Sequence, residues 1–91
     1  AKRTAELIPL CHPIRIESVR IDPDLAGSLA VFRATCVTTD RTGIEMEAMV
    51  GAAVAALAFY DMLKSADRGL VIERVRLVKK SGGKSGTFAA G

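Results

Sequence analysis

Ninety-one residues, 49% apolar and only 4% aromatic, set the limit at one domain with a core of Ala, Val, Ile, Leu and Met. A chain this short buries a modest share of its surface, so assembly would help it. The formal charge of +3 does not by itself imply nucleic acid, and the four aromatics show no interleaving with the basic residues that RNA stacking needs. Two cysteines, Cys11 and Cys36, with no paired spacing and no signal peptide expected, fit a reduced cytosolic thiol state better than a disulfide framework.

In chain order, residues 1 to 8 (AKRTAELI) read as the end of a helix stopped by Pro9. Ile14 to Ile21 is strand-like. Its apolar phase changes between Ile16 and Val19, which predicts a bulge near Glu17 and Ser18. Asp22, Pro23, Asp24 and Gly27 supply turn chemistry, and the β-branched run SLAVFRATCVTT (28 to 39) predicts the second strand of an antiparallel hairpin. A long helix follows from Glu45 to Ser65, then a last strand from Val71 to Lys79 and a glycine-rich tail. Helix end, strand, strand, helix, strand is a βαββαβ ferredoxin-like unit without its first strand and most of its first helix. The fold class is therefore α+β, an antiparallel sheet with helices on one face, and residues 1–91 form a single domain.

The helix holds thirteen uncharged residues, Ala48 to Tyr60, short of the roughly twenty that a membrane span needs. It reads as a buried soluble helix. Being apolar all round it must be covered on two sides, and one sheet face covers only one, so a second subunit is expected on the other.

The chemistry-bearing residues fall into four stretches. SGGKSG (81 to 86) contains Gly-Lys-Ser, but Val78 stands where a P-loop has its first Gly, and six residues after Ser85 leave no room for the helix that must follow. Its glycines and Lys79, Lys80 and Lys84 suit either a phosphate-contacting tail or an unstructured terminus. From Arg68 to Lys84 six basic residues face one acid, Glu73, so this region should attract anions, and a small phosphorylated ligand suits it better than nucleic acid. Asp61 and Lys64, three apart on the helix, are neighbours; they are either a surface ion pair or an acid–base pair tuned by the apolar run before them. Glu45 and Glu47 suit a helix N-terminus, and Glu47 and Asp61, fourteen residues apart, would lie about 21 Å from each other on one face. One pocket in one subunit does not hold both. Cys11 and His12 are adjacent, so neither a shared metal nor a Cys-His nucleophile pair is supported, and no zinc spacing exists elsewhere.

Three stretches, KRTAELIPLCHPI (2 to 14), TGIEMEAMVGAAVAALAFYDMLKS (42 to 65) and VRLVKKSGGKSG (75 to 86), closely resemble the molybdenum cofactor biosynthesis protein C family, the cyclic pyranopterin monophosphate synthases. The resemblance implies a cytoplasmic lyase. Its substrate would be GTP-derived 3′,8-cyclo-7,8-dihydroguanosine 5′-triphosphate, rearranged to cyclic pyranopterin monophosphate with loss of pyrophosphate. It further implies ferredoxin-like subunits assembled as a hexamer, a trimer of dimers with sites at dimer interfaces, and no membrane or nucleic-acid partner. Asp61 would be the catalytic acid/base with Lys64 its partner; Leu10, Cys11, His12, Met46 and Glu47 would line the substrate site, with Lys2, Lys80 and Lys84 near the triphosphate. No resident cofactor is implied, although a divalent ion could escort the triphosphate. The family carries several tens of residues ahead of the position matching Ala1, so the chain reads as the C-terminal portion of such a synthase. The alternative is a non-catalytic oligomeric module that binds a nucleotide or a partner through the same basic surface.

Overall fold

The structure, a computed structural model, describes residues 1–9, 11–39, 43–81 and 88–89. Helix α1 (Thr4–Leu7) is one turn, closed by Thr4, whose Oγ1 donates to the Ala1 carbonyl at 2.7 Å and which is fully buried. It stops at Ile8, which is extended as a residue before proline prefers to be.

Strands β1 (Ser18–Ala26) and β2 (Leu29–Val37) form an antiparallel hairpin, in register from Ser18↔Val37 to Ala26↔Leu29. The expected break near Glu17 is a bend where the ladder begins, Glu17 donating its N–H to the Val37 carbonyl at 2.8 Å. The reversal differs from the expectation. Asp22, Pro23 and Asp24 lie inside β1, and the turn is the two residues Gly27 and Ser28, Gly27 taking φ +59° as a mirror-image hairpin turn requires. Proline is tolerated there because β1 is an edge strand, and Asp22 is held by Arg20, whose Nε donates to Oδ2 at 2.7 Å. Alternation puts Ala30, Phe32, Ala34 and Cys36 on one face of β2 and leaves Leu29, Val31 and Val37 exposed on the other.

Helix α2 (Glu45–Leu63) packs on the first of those faces, chiefly against β2. Phe59 meets Phe32 with ring centroids 5.4 Å apart, tilted by 59°. At Gly51 the helix comes close enough that an added Cβ would touch Ala1, Ala34 and Ile21 at 3.6 Å. By length and composition α2 would also suffice to cross a membrane, with mean hydropathy 1.5, yet only 17% of that window is buried within this chain. The hairpin covers one side of the helix, while Val54, Leu57 and Met62 stay exposed on this chain.

The expected strand over residues 71 to 79 does not form. Val71 to Val78 has no regular structure, and only β3 (Lys79–Lys80) pairs, with β4 (Phe88–Ala89). Its β-branched composition expresses a fit to a half-buried ladder, and among the described residues Val71, Ile72, Val75 and Val78 are exposed and outside any ladder. A short helix and a long helix on a hairpin make the α+β arrangement of a ferredoxin-like unit in part.

Candidate functional site

Two segments far apart in sequence converge on an open cavity of about 330 Å³. The loop released by Pro9 brings Cys11 and His12 to it, and the start of α2 brings Glu45, Met46 and Glu47. The loop is held locally, Cys11 donating its N–H to the Ile8 carbonyl at 3.4 Å. Helix α2 starts at Ile44 without a side-chain cap, so the carboxylates of its first turn complement the dipole.

Glu47 is the buried member, 3% exposed. Beneath it Cys36 of β2 is half-buried. Desolvation pushes the Cys36 thiol above its ordinary range, with the N-terminal ammonium of Ala1 opposing and Glu47 adding to the rise. Beside the cavity Glu45 Oε1 accepts from Lys80 Nζ at 3.3 Å, with Lys80 12% and Glu45 36% exposed. Glu45 Oε2 is buried without a hydrogen-bond partner among the described residues.

Of the residues singled out in the sequence, Cys11, His12, Met46 and Glu47 line this one cavity, and Lys80 reaches it through Glu45. Lys2 does not. It lies in a second groove, of about 460 Å³, between the N-terminal segment and Val50 and Val54 of α2. Asp61 and Lys64 form the expected pair, Nζ to Oδ1 at 2.8 Å, at the other end of α2. They are 73% and 60% exposed, so on this chain alone they make a surface ion pair. Leu10 and Lys84 lie outside the described residues. Among the described residues no three His, Cys, Asp or Glu side chains gather as a metal site.

The sequence marks Glu45 only as one of two carboxylates that suit a helix N-terminus, and the lysine it meets is 35 positions away.

The MoaC family model matches residues 1–83. Over 90 residues the chain is 51% identical to the cyclic pyranopterin monophosphate synthase of Thermomicrobium roseum, covering 97% of this chain and 54% of that protein. It is 50% identical over 90 residues to the protein of the same name from Novosphingobium aromaticivorans, covering 99% of this chain and 57% of that one. The chain spans about half the length of the curated relatives it matches. A match across nearly all of its own length, through LCHP, EMEA, YDM-x-K and the lysines that follow, means that the chain belongs to the MoaC family.

Proposed function

We propose that the chain works in molybdenum cofactor biosynthesis as the C-terminal portion of a cyclic pyranopterin monophosphate synthase, a cytoplasmic lyase. It converts 3′,8-cyclo-7,8-dihydroguanosine 5′-triphosphate to cyclic pyranopterin monophosphate with release of pyrophosphate. The observation that carries this is the meeting of Cys11, His12, Met46 and Glu47 around one cavity, the four described side chains that the family resemblance assigns to the rim of a substrate site.

Ring opening and re-closure need protons moved at defined atoms, and expelling pyrophosphate needs cations against accumulating negative charge. Cys11, His12, Met46 and Glu47 bind and orient the guanosine-derived part. Lys80 and Lys84 meet the triphosphate, with Lys2, which lies in the other groove of its own chain, contributing from a neighbouring subunit, and any divalent ion arrives with the substrate. Asp61 acts as acid/base with Lys64 as its partner.

Asp61 lies about 21 Å along α2 from Glu47, four turns away, so the pair that serves a given cavity comes from a neighbouring subunit. Val54, Leu57, Asp61 and Lys64 fall on one stripe of the helix, and Val54 and Leu57 are exposed. A subunit that covers this stripe also dries the acid–base pair, which raises the strength of every charge interaction within it. The assembly is a hexamer built as a trimer of dimers.

The test is pyrophosphate release from the cyclised dihydroguanosine triphosphate by this chain, with Asp61→Asn as control. Release that the substitution abolishes supports the synthase; release that Asp61→Asn leaves intact removes Asp61 from the mechanism. The exposure of Asp61 and Lys64 in a single chain favours one second reading, a non-catalytic oligomeric module that binds a nucleotide or a partner. Such a module keeps its ligand affinity in Asp61→Asn and releases no pyrophosphate.

A further inference from the structure

Lys80 enters the site indirectly. Its ammonium rests on Glu45 Oε1 at 3.3 Å, and its side chain is only 12% exposed although the adjacent Lys79 is open to water. A lysine carries about 2 kcal/mol of rotamer entropy, and a surface lysine spends it by wandering. Three features restrain this one.

Glu45 stands in the first turn of α2 at the edge of the cavity, so its backbone is fixed where its carboxylate reaches the lysine. Lys80 lies in β3, paired with Phe88 of β4, so its backbone is also fixed. Gly43 makes the room: a Cβ there would collide with Glu45 Oε2 and press on Lys80 Cε at 3.2 Å. A methyl at position 43 would force the ends of these two side chains to shift, which disturbs their contact.

We propose that Glu45 is the positioning residue of Lys80, holding its ammonium at the rim of the Cys11–His12–Glu47 cavity, with Gly43 as the gap that permits the contact. The functional consequence rests on the synthase reading; the positioning itself does not. An ammonium has three donors, and Glu45 Oε1 occupies one. The remaining two are available to phosphate oxygens of a ligand in the cavity. Glu45 touches no reacting atom in this scheme. It acts through Lys80, lowering the entropy lost when the anion binds.

The test is competitive acylation of the folded chain by a water-soluble amine-reactive ester, read residue by residue by peptide mass spectrometry. Lys79, on the same peptide, is the internal reference. In the unsubstituted chain Lys80 should react about fivefold more slowly than Lys79, the scale set by a partly shielded pair. Glu45→Gln and, independently, Gly43→Ala should each bring Lys80 towards the Lys79 rate while leaving Lys64 unchanged, which separates loss of positioning from loss of fold. Equal rates for Lys79 and Lys80 in the unsubstituted chain, or an unaltered ratio in both variants, overturn the proposal. In the pyrophosphate-release assay Glu45→Gln should raise KM more than it lowers kcat, and a fall in kcat alone also overturns it. If the unsubstituted chain releases no pyrophosphate, it is the synthase reading that fails, and the acylation ratios still decide the role of Glu45.

Discussion

Asp61 and Lys64 touch at 2.8 Å and still face water, and this combination separates their effect on stability from their effect on turnover. An exposed pair of this kind contributes less than about 1 kcal/mol to folding. Lys64→Ala should therefore melt within a few degrees of the unsubstituted chain and lower pyrophosphate release by orders of magnitude; near-normal release would remove Lys64 from the chemistry. The pair was legible from its spacing, because helix neighbours three apart meet whatever the rest of the chain does. The Glu45–Lys80 contact was not, since nothing local to either residue points to the other across 35 positions. Cys36 gives a pH prediction. Burial raises its thiol above the ordinary 9.0, so the folded chain keeps a proton that the unfolded chain gives up first. Its contribution to stability is complete below 9.0 and declines as the pH rises through the folded value. Urea midpoints measured from neutral into alkaline pH should fall, and Cys36→Ala should flatten part of that slope; identical slopes would show that the thiol is not linked to folding.

At the scale of elements, two glycines have opposite expectations. Gly27 holds the hairpin turn at φ +59° with open space around it, so Gly27→Ala meets no atom but strains the backbone, costing about 1 kcal/mol. Gly51 sits inside α2 with ordinary helical geometry and room for a methyl at 3.6 Å, so Gly51→Ala should gain up to about 1 kcal/mol in helix propensity. Denaturant melts of the two variants check both signs. The long helix and the hairpin were readable because each is specified by its own residues, through apolar composition and alternation. The turn position was misread because Asp22-Pro23-Asp24 carries turn chemistry that an edge strand tolerates. The strand expected over 71 to 79 was misread for a different reason: a strand exists only with a ladder partner, and a sequence does not state whether the partner is present.

The molecule as a whole shows apolar surface on two sides, Val54, Leu57 and Met62 along α2 and Leu29, Val31 and Val37 behind the hairpin. Large apolar side chains left open in this number mark surfaces for association. Sedimentation at micromolar concentration should find a species larger than one chain, and Leu57→Glu should shift it towards the monomer; a strictly monomeric unsubstituted chain would contradict the assembly and with it the shared site. On the proposed reading, in which Asp61 serves the cavity, a second chain completes the site. The two-residue turn at Gly27 and Ser28 has a kinetic consequence. It closes the smallest loop a hairpin can have, and the helix that covers the hairpin follows within a few residues of β2. Pairing that starts at this turn closes the smallest loop first and adds one ladder step at a time outwards, so the hairpin should form before the helix docks on it. Hydrogen exchange should accordingly be slowest in the β2 amides that bond to β1 and fastest between Val71 and Val78.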